Sequence, residues 1–480
     1  MEKNGQLEMN FSVSGNRLKQ QLEDGIFSLW IEHAAPGKDT SPEAASARLA
    51  ALEEAVLDVS SFPCGLAITD RYGFTESWRT AEYLSALSPE NRDRHLVYLS
   101  GKDTSPEVMR ELIGMCGAAR ALNVIPVTGD RFVGEDERAT RLREFTESIT
   151  TLRMIQKENN TIPFYPGCVV NPFKYRSDAL LTQFFKMVKK LNVGANFIVA
   201  QAGWNMEKLQ ALKWFLSYRN LEYPVIARLI FLTPERAERI INGEFPGVEM
   251  SRDFCAILRK ELSVSAQQFE AAQLQRLALQ AAGCRLMGFS GIQLAGMDTP
   301  ERGRIASRRI LEALHGYKNF DFWVNEYRAY LARAEMAPYP HSFNFFEDLL
   351  SRAYLDDDPK LEKAQLPVPG LFSRCNRSIR KFLFPCADKQ AAGDRYWLKK
   401  IFAGCHHCNQ CRLPQTFFVC PERCPKHLSN GPCGGCTIEG MCECGNFPCV
   451  FHEIYAFAGR EQCLDALEER LVVPPSGGIL

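Results

Sequence analysis

The sequence predicts an α/β fold, a (β/α)8 barrel of the TIM type followed by a small cysteine-rich domain, and three observations predict it. Short β-rich runs alternate with longer helical patterns from residue 26 to residue 316. Eight strand-like runs fit into about 290 residues, near the usual size of such a barrel. Eleven of the eighteen cysteines fall between Cys405 and Cys463.

The expected strands are IFSLWIE (26–32), CGLAIT (64–69), HLVYL (95–99), NVIPVT (123–128), FYPGCVV (164–170), NFIVAQ (196–201), PVIARLIFL (224–232) and LMGFSGIQL (286–294). Helical patterns cover 42–57, 105–121, 176–192, 205–219 and 264–282, the last opened by Ser-x-Ser with no interior Gly or Pro. A doubly wound sheet would show the same alternation. No phosphate-cradling GxGxxG follows the first strand, which weakens that alternative. Aromatic helices continue to residue 354, and the acidic stretch 355–370 ends in a Pro-Gly cluster that reads as a linker. The expected domains are therefore a barrel over 1–335, a connecting helix and linker over 336–370, and a cysteine-rich unit over 371–480.

Composition narrows the function. With 46% apolar and 24% charged residues the chain is an ordinary globular protein, not a disordered one. Lys+Arg and Asp+Glu are 57 each, so nucleic acid is not an expected partner. The first thirty residues carry no charged start with an apolar core, and no run approaches eighteen apolar residues. A cytoplasmic protein without membrane insertion is expected.

In a barrel the reacting groups come from the C-terminal strand ends. Those ends offer Glu32, Thr69 with Asp70, Thr128-Gly129-Asp130, Asn171 and Gln201, with Ser290 and Gln293 in the last strand, while His95 opens the third. Two carboxylates, an amide and exposed glycine backbone on one rim suit a polar heterocycle and an acid/base step. Each has a plainer reading: a solvated carboxylate for Glu32, a helix N-cap for Asp130, a loop amide for Gln201, a structural histidine for His95.

The cysteine run from Cys405 to Cys449 reads C-x2-C-x2-C-x8-C-x3-C-x8-C-x2-C-x5-C-x-C-x4-C, with Pro after Cys420 and Cys424. In a reducing compartment, thiols this dense are metal ligands more often than disulfides. Zinc sites pair two C-x2-C hooks. The triple Cys405, Cys408, Cys411 instead matches the ferredoxin grip on a [4Fe-4S] cluster, completed by a Cys-Pro, here Cys420 or Cys424. Zinc, with His406 or His407 as a possible substitute ligand, stays open. Cys463 reads as a plain buried thiol.

Several segments resemble the methylenetetrahydrofolate reductase family. They are IEHAAPG (31–37), LAIT (66–69), HL (95–96), VTGD (127–130), GANFIVAQ (194–201) and FPGVEM (245–250), in that family's order. CPERCPKHLSNGPCGG (420–435), GMCE (440–443) and CVFHEIY (449–455) resemble the C-terminal domain associated with those reductases. The resemblance implies reduction of 5,10-methylenetetrahydrofolate to 5-methyltetrahydrofolate, in one-carbon metabolism, on a flavoprotein barrel carrying FAD or FMN. Glu32 would be the catalytic acid and Asp130 would hold the pterin and influence the flavin. Gln201 would bind folate, and Thr69, His95, Thr128, Gly129, Asp130, Asn171, Lys189 and Lys190 would bind the cofactor. Gln183 and Lys186 cover neighbouring positions of the same helix. Cys405, Cys408, Cys411, Cys420, Cys424, Cys433, Cys442 and Cys449 fit the metal pattern, for one or two [4Fe-4S] clusters or zinc; Cys436 and Cys444 are extra. Thr128, Asn171 and Ala200 depart from the family's usual residues. Electrons would come from a ferredoxin, a partner oxidoreductase or NAD(P)H, and an oligomer is possible. The alternative is a non-redox folate-binding module of a methyl-transfer complex with a structural zinc tail.

Overall fold

The computed structural model describes residues 15–57, 63–69, 77–297, 299–334, 343–362, 368–384, 396–406, 408 and 410–472. Eight parallel strands form the sheet: β1 (Ser28–Ala34), β2 (Cys64–Thr69), β3 (Leu96–Ser100), β4 (Val124–Val127), β5 (Gly167–Val170), β6 (Phe197–Ala200), β7 (Val225–Ile230) and β8 (Gly291–Ala295). Their order is β4-β3-β2-β1-β8-β7-β6-β5, so the first strand pairs with both the second and the last. That pairing belongs to a barrel, not to a doubly wound sheet. β4 and β5 share no ladder among the described residues; just below them Tyr165 N–H donates to the Leu122 carbonyl at 3.0 Å, and the barrel is nearly closed.

The strands are buried on both faces, which is why they read as apolar runs. Trp30, Ala67, Leu96, Tyr98, Ile125, Phe197, Val199 and Ile226 fill the inside. Leu29, Ile31, Leu66, Val97 and Ile198 point the other way, into a larger cluster beneath the helices. Helices Pro42–Leu57, Pro106–Ala118, Ser177–Asn192, Met206–Tyr218 and Ala266–Leu286 stand where the patterns predict them. Ser105, Asn205 and Ser265 cap three of them, each side chain accepting a backbone N–H of the first turn.

The stretch expected to be connecting helix and linker differs. The aromatic helix Phe320–Ala334 is followed, over residues 343–353, by irregular chain packed on the barrel. Phe346 meets Trp214 edge-on with ring centroids 5.6 Å apart, and Gln210 Nε2 donates to the Arg352 carbonyl at 2.7 Å. Aromatic side chains supply the apolar area, so this segment adheres without helical structure.

Helix Ser177–Asn192 is buried along almost its whole length. Leu180, Phe184 and Met187 face the barrel, whereas Leu181 and Phe185 share a second core with Val419, Leu428, Phe451, Ile454 and Tyr455 of the cysteine-rich module. The module is thus seated against one side of the barrel.

Candidate functional site

Side chains alternate along a strand, and the inward phase that places Trp30 inside the barrel also places Glu32 at its upper end. Thr69, Asn171, Gln201 and Arg228 share this position on their own strands. From these strands a chain of hydrogen bonds crosses the rim. Tyr98 Oη donates to Gln293 Oε1 at 2.7 Å, and Gln293 Nε2 donates to Glu32 Oε2 at 2.7 Å. Arg228 grips both Glu32 oxygens, Nε to Oε2 and Nη2 to Oε1, each at 2.6 Å, and its Nη1 reaches Gln201 Oε1 at 2.6 Å.

The surroundings of Glu32 are therefore polar, and they differ from the solvated carboxylate of the plainer reading. Its side chain is buried, but against a guanidinium and an amide, in a bidentate charge-assisted pair. Sequence reading missed Arg228, although it is the one charged residue in the strand VIARLI. A charge inside an otherwise apolar strand signals an inward-facing partner, because a buried charge without one is too costly.

Glu32 and Arg228 also wall a cleft on the outer side of this partition, lined further by Arg48, Arg236, Arg239 and Phe245. On the inner side lies a second cavity of about 940 Å³ of empty space, its mouth included. Thr69, Thr128, Gly129, Asp130, Asn171, Lys190 and Gln201 line it, so seven of the residues expected at the site converge here. Gly129 must be glycine: its φ is +86°, and a Cβ would stand 2.6 Å from Ser100 Oγ.

The roof of this cavity is Pro432, Cys433, Gly434 and Gly435 of the module. Asn171 Nδ2 donates to the Gly434 carbonyl at 3.1 Å and the Gly247 carbonyl at 2.7 Å. Lys426, fully buried, donates to the Gly129 carbonyl at 2.7 Å and to Glu443 Oε1 at 2.6 Å. Arg131 N–H donates to Glu443 Oε2 at 3.3 Å. The module thus brings a carboxylate and an ammonium to the turn that carries Asp130. Burial and the Glu443 charge push Asp130 up to about 6, against the opposing pull of Lys426, Lys102 and Arg228.

Of the other residues expected at the site, His95 and Lys189 lie off this cavity, while Lys186 and Lys190 reach its edge. His95 stands at the opposite end of the barrel, before β3, completely buried. Its Nδ1 accepts from Leu66 N–H at 2.9 Å and its Nε2 meets Glu53 Oε1 at 2.7 Å, which is the structural histidine of the plainer reading. Lys189 is buried off the cavity, and burial drops it to about 8. Lys186 seats the module, bonded to Glu147 at 2.9 Å and to the Gly431 carbonyl at 2.8 Å. Glu147 in turn accepts from Ser429 N–H and Asn430 N–H at 3.1 and 3.2 Å. Lys190 donates to the Val169 carbonyl at 2.7 Å. Asp70, Cys386 and His407 lie outside the described residues.

The thiols fall into two groups. Burial pushes Cys420 up to about 12, with Cys405 and Cys408 close enough to add to the rise, and Cys411 packs beside it. Burial likewise raises Cys424, Cys433 and Cys449, with neighbouring sulfurs contributing to each, and Cys442 is raised first by its bond to Cys444. Cys436 neighbours Cys449. Of the two Cys-Pro cysteines, Cys420 therefore has the triple as its sulfur neighbours, whereas Cys424 has Cys444. Cys463 is half-exposed, not buried, with its thiol 3.2 Å from the Glu461 carbonyl.

Among the described residues no three such side chains already stand as a single-ion site. Neighbouring thiols in two groups are the donor type that a metal centre would need, since bound metal is what allows neighbouring thiols to ionise together. The inner cavity fits a polar ring system. Thr69 Oγ1 and Gln183 Nε2 are buried there without a hydrogen-bond partner, and Asp130 supplies an acceptor.

Residues 384–476 match the family model described as the methylene-tetrahydrofolate reductase C terminal. No curated protein matches the chain. Among solved structures, a Clostridium thermocellum protein that binds two copies of 5-methyl-5,6,7,8-tetrahydrofolic acid is 16% identical, over 61% of this chain and 98% of that one, with a TM-score of 0.43. Yersinia pestis DHPS with a pterine-sulfa conjugate is 13% identical over 61% and 95%, with a TM-score of 0.32. A 2,3-dimethylmalate lyase is 10% identical over 69% and 98%, with a TM-score of 0.33. Among the described residues no helix is long and apolar enough to cross a membrane.

Proposed function

We propose, on the premise that residues 384–476 belong to the methylene-tetrahydrofolate reductase C-terminal family, that the chain reduces 5,10-methylenetetrahydrofolate to 5-methyltetrahydrofolate. One observation carries this reading: Asp130 of the barrel rim and Cys433 of the cysteine module line the same cavity. A redox centre in the module and a polar heterocycle on the barrel would then be neighbours.

The reaction takes two electrons and two protons. The bond from the ring nitrogen to the methylene carbon breaks, that nitrogen keeps a proton, and the carbon gains hydrogen with the electron pair. A flavin bound in the cavity would supply the hydride, and iron held by the two thiol groups would supply its electrons singly. Thr69, Thr128, Gly129, Gln183 and Asn171, which line that cavity, would hold the ring. Cys405, Cys408, Cys411 and Cys420 would hold one metal centre, and Cys424, Cys433, Cys442 and Cys449 the other.

This chain's own residues bind the pterin and move the proton. Gln201 and Asp130 present an amide and a carboxyl to the amino edge of a pterin. Glu32 delivers the proton to the ring nitrogen. Because Arg228 holds both Glu32 oxygens, it must release one before that oxygen can carry a proton, and substrate entry through the arginine-lined cleft is the event that displaces it. The module loop over the cavity excludes water, which protects the hydride step.

An anaerobic preparation tests the reading. Flavin absorbance together with matched iron and sulfide is expected. Zinc at one or two per chain, without iron or flavin, would replace it with the non-redox folate-binding alternative.

A further inference from the structure

The helices Leu371–Leu383 and Tyr396–Ala403 of the module turn apolar side chains outward, the reverse of the usual surface helix. In the first, the charged side is turned inward: Arg377 donates to the Phe417 carbonyl at 2.9 Å and pairs with Glu461, and Arg380 is buried beside Glu453. The apolar side is left in solvent. Leu371 is 70% exposed, Phe372 82% and Phe382 84%, and on the second helix Trp397 is 64% and Ile401 65% exposed. Surface helices ordinarily bury that stripe.

The patch is large. Three aromatics that would each bury 150–250 Å² amount, at these exposures, to roughly 350–600 Å², as much as the largest apolar patch on a typical monomer. That size suits the small interfaces of transient redox complexes, which bury under about 1,200 Å² in total.

Two further facts choose the occupant. On their inner side the same helices place Leu383, Phe384, Leu398 and Ala403 against Cys411 and Cys420, so the first thiol group lies directly behind the patch. Charge is also lopsided: residues 371–384 and 396–406 hold no Asp or Glu, and besides the inward Arg377 and Arg380 they carry Arg374, Lys381, Lys399 and Lys400, in a chain whose net charge is zero. Lys381 and Lys400 are exposed beside the aromatics.

We infer that this face is the docking surface for a small acidic electron-carrier protein, which hands single electrons to the Cys405, Cys408, Cys411 and Cys420 group. The inference rests on the redox reading of the cysteine module. One electron crosses per encounter, oxidising the carrier, so two encounters supply the pair the reaction consumes.

The test uses the anaerobically purified full chain, wild type against a Phe372→Ser, Phe382→Ser, Trp397→Ser triple variant and a Lys381→Glu, Lys400→Glu double variant. The probe is a purified acidic bacterial ferredoxin, its binding measured by calorimetry and its electron delivery measured as folate reduction. Reduced methyl viologen, which needs no docking surface, serves as the bypass donor. The triple variant is expected to bind ferredoxin about thirtyfold more weakly, the scale of lost aromatic anchors, and to lose ferredoxin-driven turnover while the viologen rate stays at wild type. The double variant is expected to abolish the salt dependence of ferredoxin binding. Unchanged ferredoxin binding in the triple variant overturns the inference. So does loss of phosphatidylglycerol-vesicle binding, or of a wild-type dimer by light scattering, when ferredoxin-driven turnover is untouched. Ferredoxin binding that depends on the patch, with no viologen-driven turnover in the wild type, sustains the docking surface and sinks the folate reaction instead.

Discussion

Glu32 and Asp130 are carboxylates on one barrel rim, yet their neighbourhoods are opposite. Glu32 is held by barrel residues alone, with a guanidinium on both oxygens, at the edge of a cleft rich in arginine. Asp130 lies under the module, which brings Glu443 to it, and burial and that charge raise it to about 6. The contrast teaches that barrel residues alone make a charged half of the rim, while the added module makes a half in which a proton can be held near neutral pH.

Four experiments break or sharpen this contrast. The largest effect belongs to Glu32→Gln, expected to cut turnover with reduced viologen by about 10²–10⁴. If Asp130→Asn costs more than Glu32→Gln in kcat, the proton-donor role passes to the module's side of the rim. Next, Arg228→Leu leaves Glu32 buried and unpaired, and urea unfolding should show a loss of about 3–5 kcal/mol. Lys426→Met removes the ammonium that joins Gly129 to Glu443 and should cost about 1.5–3 kcal/mol in the same assay, with KM for folate rising more than kcat falls.

The smallest effect is a pH slope. Asp130 binds its proton more tightly folded, at about 6, than at its ordinary 3.8, so the stability this confers is whole below about 4 and is lost as pH rises through about 6. Urea midpoints measured across that window should fall with pH, and Asp130→Asn should remove that part of the slope. Glu443→Gln should move it to lower pH, because one of the charges that raise Asp130 is gone.

Much of the barrel was legible, because strands buried on both faces leave unbroken apolar runs between helical patterns. The errors sit where an apolar run outlasts its strand. Met287 and Phe289 are buried between helix Ala266–Leu286 and β8, so the run LMGFSGIQL begins before the strand does. β5 starts at Gly167, after Pro166, which has no N–H to give a ladder. Thr69, Asn171 and Gln201 were readable as rim residues, and they line the inner cavity, because they end strands. His95 was misplaced because it begins one, and the beginning of a barrel strand faces the other end. Lys426 and Glu443 gave no signal: each reads as a surface charge between cysteines, and the Lys426 contact spans 297 positions. Only the folded seat of one unit on the other makes them part of the site.

Helix Ser177–Asn192, gripped between both units, also sets a timetable for synthesis. The segment that covers Leu181 and Phe185 is translated about 260 residues after the helix, a delay of roughly 13–50 s at ribosomal speed. For that interval the nascent barrel shows an uncovered greasy flank, the kind of transiently exposed apolar surface that chaperones shield.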